Sequence, residues 1–318
     1  MKHIYTFSTP GTFLSMIKAL VTGATGSVGH YLIPALANDG FDVVATGRAD
    51  FGSLNQGHPW ASLPHVTYKR LDFTDPYAVD SMMEEERPDV IIHAGAMSKP
   101  DDCEQHQWEA YFTNVEATMQ LAMSAEENGS FFIFLSTDFV FDGKKGMYTE
   151  TDEPSPINFY GRTKLEAEQA VSEFAGDWAI VRTVAVFGKP VEGKRQFLSQ
   201  VKDHLERGEA YHAVTDQVRT PTYAGDLAKA LAIIARNKYQ GIIHVAGGEV
   251  ATPFELATKL AAHLELDSTL LKPLSNDQLL SAAQRPLRTG LDITKARALF
   301  NYQPLTIDEA LAISYPKQ

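Results

Sequence analysis

Tyr160 and Lys164 stand four residues apart in "NFYGRTKLEAE", a segment with helical character. Residues four apart share a helical face, so the pair offers a phenol that can pass a proton and an ammonium beside it. Two ordinary side chains would show the same spacing, and the chain holds 12 tyrosines, so spacing alone leaves both readings open. The other reactive types say less. The single cysteine, Cys103, excludes an internal disulfide framework and fits a reducing compartment. No histidine-centred motif surrounds it, and it reads as a buried or half-buried thiol. His93 ends an apolar strand and reads as a hydrogen-bonded core histidine rather than a base. The histidines show no metal-ligand spacing such as His-Glu-x-x-His, so no catalytic metal is expected.

The elements that would position such a pair alternate between strand and helix. Residues 17–22 are a short apolar run, and residues 27–38 carry apolar side chains at helical spacing. "NDG" at 38–40 stops that helix and "FDVVAT" is the next buried strand. "VTYKRLDF" is a strand, and "DPYAVDSMMEEER" a helix opened by proline. "PDVIIHAGA" is a strand and small-residue turn, 104–128 one long helix and "FFIFLST" the fifth strand. This alternation predicts an α/β fold, a Rossmann-type doubly wound parallel sheet whose ligands sit at the strands' carboxyl ends.

Between the first strand and its helix lie Gly23, Gly26 and Gly29, spaced three apart. A backbone turning under a pyrophosphate needs residues without Cβ, and the helix that follows offers free N–H groups and the positive end of its dipole. The predicted cofactor cradle is therefore Gly23, Thr25, Gly26, Ser27, Val28 and Gly29. Asp72 and Phe73, at the third strand's end, would contact the adenine; Ala94, Gly95 and Ala96 would contact the cofactor backbone. At the end of the second strand an NAD site usually places a carboxylate for the ribose. Here Gly47 fills that place and Arg48 follows it, a combination suited to a ribose 2′-phosphate. NADP(H) is the expected cofactor, with NAD(H) the other option.

With these motifs in place the chain resembles the extended short-chain dehydrogenase/reductase superfamily, and within it the dTDP-4-dehydrorhamnose reductase group. The matching segments, in order, are "VTGATGSVG", "LSTDFVFDG", "YGRTKLEAE", "VRTVAVFG", "TDQVRTPTYAGDLA" and "RPLRTGLDITKA". The resemblance implies a catalytic triad of Thr137, with Ser136 as second choice, Tyr160 and Lys164. Tyr160 would protonate the oxygen of a ketone receiving hydride. A free phenol, with a pKa of about 10, is badly matched to neutral pH; the Lys164 ammonium would lower it and also hold the nicotinamide ribose. Thr137 would orient the carbonyl. Asn114, in "YFTNVEAT", resembles an asparagine that braces the site.

The resemblance therefore implies a reductase of a nucleotide-linked 4-ketosugar. Dehydratases of the superfamily carry Thr-Asp-Glu where this chain has Thr137-Asp138-Phe139, which disfavours dehydration. An NAD-dependent epimerase is one alternative. Another is a non-catalytic regulatory subunit of the methionine adenosyltransferase β type, which "KPDDCEQHQWEAYFTNVEAT" also resembles. Asp138, Asp216, Gln217, Arg219 and Arg285 are the candidate substrate residues, and Thr220-Pro221-Thr222 shapes the loop. Lys194, Arg195 and Arg288 are further cations for a pyrophosphate. Arg219 stands where the rhamnose-type pattern has glycine, and it would read an anionic group or point outward.

After "VAVFG" the alternation breaks. The expected domains are a dinucleotide-binding part, 16–185 with about 223–248, and a smaller discontinuous substrate region, about 186–222 and 249–318. "AGDLAKALAIIAR" and "GIIHVAGG" would return to the main sheet as a helix and a strand. Residues 1–15 read as a disordered extension or a misassigned start, because Met16 directly precedes the first strand. Across 318 residues the net charge is -12, which argues against a nucleic-acid partner. No apolar run is long enough to span a bilayer, and a cytoplasmic protein is expected. Homodimers are common in proteins of this resemblance.

Overall fold

Seven parallel strands form the centre of the molecule. A computed structural model describes residues 16–50, 58–191 and 196–317; residues 1–15, Lys194 and Arg195, each given a reading above, lie outside it. The strands are β1 (Lys18–Thr22), β2 (Asp42–Gly47), β3 (Val66–Arg70), β4 (Val90–His93), β5 (Phe131–Thr137), β6 (Trp178–Thr183) and, after three strands outside this sheet, β10 (Gly241–His244), ordered β10-β6-β5-β4-β1-β2-β3 across the sheet. Strands covered on both faces have no solvent side and read as nearly continuous apolar runs; "VIIH" of β4 is buried at every position.

Helices cover both faces. On one, α1 (Gly29–Asn38) supplies Leu32, Ile33 and Leu36, α8 (Ala224–Asn237) supplies Leu227, Leu231 and Ile234, and α10 (Thr294–Phe300) supplies Ala296. The other face takes Val79 and Met83 from α2 (Pro76–Glu86), Leu121 and Ala125 from α5 (Ala117–Asn128), and Ala167 and Val171 from α6 (Phe159–Phe174). Local chemistry sets the helix ends. Asp75 caps α2 through Tyr77 and Ala78 with Pro76 behind it, and Gly129 (φ 71°) stops α5 in the left-handed region.

The long helix expected over 104–128 is broken. It runs as α3 (Pro100–Gln105), α4 (Gln107–Tyr111), a π-helical turn at Phe112–Glu116 and then α5. The turn carries Asn114, whose amide accepts from the Met97 N–H (2.8 Å) and donates to the Met97 carbonyl (3.0 Å) and Thr163 (3.0 Å). Bulges of this kind re-aim a side chain inside a helix.

A smaller apolar core forms beside the sheet. It joins α7 (Phe197–Glu206), α9 (Pro253–Leu264) and α11 (Ile307–Ser314) to the parallel pair β8 (Tyr211–Val214) and β11 (Leu271–Leu274). A second short parallel pair, β7 (Val186–Phe187) and β9 (Thr222–Tyr223), links this region to the sheet. Among the described residues no helix is long and apolar enough to cross a membrane.

Candidate active site

A cleft of about 700 Å³ opens at the carboxyl ends of β1, β2, β4, β5 and β6, walled on its far side by the loops carrying Arg219 and Arg285. Its floor begins at the glycine turn. Gly23 has φ +70°, and a Cβ there would lie 2.9 Å from the backbone of Ala94, so the two loops approach as only glycine permits. At Gly29 a Cβ would strike the Ala24 carbonyl at 2.3 Å; this glycine serves close packing of helix on strand rather than lining the cleft. Thr25, Gly26, Ser27 and Val28 do line it. α1 has no acidic residue in its first turn and no side-chain cap, which leaves the positive end of its dipole uncompensated by a side chain and open to an anion.

Arg48, Phe73, Ala94, Gly95 and Ala96 also line the cleft. Arg48 is exposed and makes no ion pair among the described residues. Asp72 is not among the residues lining the cleft and accepts from the N–H (3.1 Å) and hydroxyl (2.7 Å) of Thr74.

Thr137, Tyr160 and Lys164 converge on the cleft, all three buried. Asn158 caps α6 by accepting from the Gly161 N–H at 2.8 Å, which starts the helix so that Tyr160 and Lys164 both face the sheet. Burial raises the Tyr160 phenol well above its ordinary value; the Thr137 hydroxyl pulls against this, while Asp138 and Cys103 add to it. Burial pulls Lys164 down to about 7, opposed first by Glu168 and then by Cys103. The Lys164 Nζ donates to the Leu135 carbonyl at 2.8 Å and sits 3.8 Å from the centre of the Phe134 ring. Ser136 is engaged elsewhere, donating to Glu168, so Thr137 is the hydroxyl left beside Tyr160.

Asp138 faces the opposite wall. Its carboxylate accepts from Thr137 (3.1 Å), Arg219 (2.8 Å) and Thr289. Burial raises its pKa against the pull of the Arg219 charge and of these hydrogen bonds. Arg219 is buried as well; it donates further to Gln217 (3.1 Å) and lies over Phe139, 4.8 Å from the ring centre. The departure from glycine thus places a guanidinium inside the protein, locked to Asp138 rather than open to solvent. Gln217 donates to Asn276 (2.7 Å) and Asp216 accepts from the Asn276 N–H (2.9 Å), so both brace a loop outside the cleft lining. Arg285 lines the cleft, paired to Asp101 at 2.6 Å and donating to the Ala283 carbonyl at 2.8 Å. Arg288 is exposed and away from the cleft lining.

His93 is fully enclosed between the hydroxyls of Thr22 (2.6 Å) and Thr118 (3.1 Å), and burial holds its pKa down to about 3. Cys103 donates to the Met97 carbonyl at 3.2 Å, with burial pushing its thiol up to about 12. Sequence reasoning missed Thr289, Gln196 and Glu168. Thr289 lies inside a quoted motif, but nothing local says that it reaches Asp138. Gln196 donates to Ser27 at 2.8 Å from the start of α7, with no local signal at all. Glu168 had one available signal: it continues the four-residue spacing of Tyr160 and Lys164.

Comparison with known proteins gives three consistent results. The sequence profile described as the RmlD substrate binding domain matches residues 17–317. The methionine adenosyltransferase 2 subunit beta of Danio rerio is 30% identical over 288 residues, covering 89% of this chain and 84% of that protein. The probable low-salt glycan biosynthesis reductase of Haloferax volcanii is 31% identical over 297 residues, covering 92% and 96%. In solved structures, dTDP-4-dehydrorhamnose reductase from Bacillus anthracis, in complex with NADP, superposes with a TM-score of 0.83 at 26% identity, covering 95% of this chain and 99% of that one.

Proposed function

The chain belongs to the RmlD substrate-binding-domain family of extended short-chain oxidoreductases, and from that premise we propose that it reduces a nucleotide-linked 4-ketosugar at the expense of NADPH. The observation that carries this reading is the meeting of Tyr160, Thr137 and Lys164 in one cleft with the glycine turn of α1. That turn, the start of α1 without a side-chain cap and Arg48, unpaired among the described residues, suit a dinucleotide with an extra phosphate on its adenosine ribose. Bound there, a nicotinamide dinucleotide would supply hydride to the keto carbon.

The protein's own residues do the rest. Tyr160, held protonated by burial, donates its proton to the keto oxygen as charge develops there. The Lys164 ammonium, one helical turn away, stabilises the phenolate left behind and holds the nicotinamide ribose. Thr137 orients the oxygen from the end of β5. Phe139, edge-on to Tyr160 at 5.6 Å, offers no carboxylate for dehydration. A second cavity of about 190 Å³ shares Ala185, Val186 and Arg219 with the cleft and is walled by Phe197, Pro253, Leu256 and Tyr315, a setting suited to the flat base of a nucleotide.

A second reading rests on the similarity to the methionine adenosyltransferase subunit: a dinucleotide-binding partner protein without turnover. The deciding assay follows NADPH consumption with dTDP-4-keto-6-deoxyhexose as substrate, in wild type and in Tyr160→Phe. Turnover abolished by the substitution is expected. Tight NADPH binding with no turnover on this or related ketosugars would favour the partner reading.

A further inference from the structure

Tyr160, Lys164 and Glu168 recur at four-residue intervals along α6, and all three are buried. A glutamate on the enclosed face of a helix requires a partner, and here it has several. Arg182 donates from Nε to one carboxylate oxygen at 2.9 Å and from Nη2 to the other at 2.5 Å, while Ser136 donates to the first. Ser136, Arg182 and His244 lie in register on β5, β6 and β10, so the pair sits on a polar row crossing three strands beneath the helix.

The row has a direction. Lys164 is anchored over β5, through the Leu135 carbonyl and the Phe134 ring. Arg182 extends toward β10, where its charge joins burial in holding His244 down to about 3. The carboxylate end of the pair therefore faces Lys164 and the guanidinium end faces away. Other ionisable groups act on Lys164 from each neighbouring element. His93 on β4 is pulled down to about 3 and Cys103 on α3 is pushed up to about 12, so both are uncharged near neutrality. Tyr160 is protonated there too. Among the described residues, Glu168, one helical turn along the same buried face, is left as the carboxylate acting on Lys164.

We propose that Glu168 is a positioning residue for the working pair: its carboxylate, held by Arg182 and Ser136 one helical turn beyond Lys164 on the same buried face, supplies the negative charge that complements the Lys164 side chain. The proposal rests on the reading of Tyr160 and Lys164 as that pair. It gives the buried Glu168–Arg182 bridge a use that a scaffold does not require, because a matched apolar pair would stabilise the fold as well or better.

Titration of Lys164 itself is the test, followed by NMR of 13Cε-labelled lysine, with the Lys164 signal assigned by its loss in Lys164→Arg. In Glu168→Gln, which keeps a side chain able to accept from Ser136 and Arg182, Lys164 is expected to titrate about one unit lower than in wild type, leaving about tenfold less ammonium above that point. Should that variant not fold, Glu168→Gln combined with Arg182→Met removes both charges together, avoids an unpaired buried arginine, and is expected to show the same shift. Lys164 titration unchanged in either folded variant would reduce the pair to a structural clamp and overturn the proposal. The measurement needs no substrate. A shifted titration in a protein that reduces no ketosugar would uphold Glu168's role while counting against the reductase.

Discussion

On the sheet side of the cleft, the groups best suited to an anion have no protein partner: Arg48 is unpaired among the described residues, and α1 begins without a side-chain cap. On the opposite side both lining arginines are already engaged, Arg219 by Asp138 and Gln217, and Arg285 by Asp101. The contrast follows from burial. An exposed guanidinium needs no partner, whereas a buried one is costly unless paired and hydrogen-bonded. The sheet side leaves its cationic groups open to a ligand. The other side is held by its own ion pairs, and a ligand there meets cations already neutralised.

Arg219→Met is the harshest way to break this contrast. If Arg219 chiefly neutralises Asp138, its loss leaves a buried carboxylate unpaired and lowers stability by about 3–5 kcal/mol in urea unfolding. A variant of wild-type stability with only a weakened substrate affinity would instead make Arg219 a ligand-binding group.

Next comes acid. His93 titrates near 6.5 when unfolded and is held down to about 3 when folded, so the unfolded state takes up the proton first as pH falls. The stability it contributes is complete above pH 6.5 and is lost as pH drops toward 3. Removing the group in His93→Gln should flatten the acid limb of the stability profile by roughly 2–4 kcal/mol. Unfolding midpoints compared at neutral and acid pH would check this, and an unchanged slope would place the acid-sensitive group elsewhere.

Arg48→Ala tests the open side directly. It should weaken NADPH about ten- to a hundredfold and leave NADH nearly untouched, as expected for loss of a charge-assisted contact to one phosphate. Equal weakening of both would give Arg48 no part in choosing the cofactor. The mildest change is Asp101→Asn, which frees Arg285 from a partly exposed pair. Binding of dTDP, read by calorimetry, should tighten by about twofold to fivefold, while weaker binding would mean that Asp101 orients Arg285 for its ligand.

The two sides also differ in how far they could be read from sequence. The cradle is local: Gly23, Gly26 and Gly29 stand within one strand-turn-helix unit, and Tyr160 and Lys164 within one helix turn, so spacing and period carry the information. The sheet followed from the alternation of apolar runs and amphipathic segments, including the return of β10 beside β6. The opposite side is assembled from residues distant in the chain. Arg219 meets Asp138 across 81 positions and Thr289 meets it across 151, and no periodicity encodes such a contact. An arginine at a glycine position could be placed inward or outward only once the fold was known. Asp72 stands at a strand end and Asp216 in a loop singled out by its resemblance, and in both settings a carboxylate also fixes a turn, as the Thr74 and Asn276 contacts do here. Glu168 escaped notice because a glutamate in a helix reads as solvent-facing until the strand beneath it proves to carry Arg182.

In the proposed reaction a bound nicotinamide cofactor would give hydride to a sugar carbon in this cleft while Tyr160 supplies the proton. Incubating the protein with dTDP-4-keto-6-deoxyhexose and NADPH deuterated at its transferable position, then weighing the sugar product by mass spectrometry, tests it most directly. Wild type should yield product carrying one deuterium at the former keto carbon, and Tyr160→Phe none. Undeuterated sugar from wild type with NADPH bound, or equal labelling in both proteins, would contradict it.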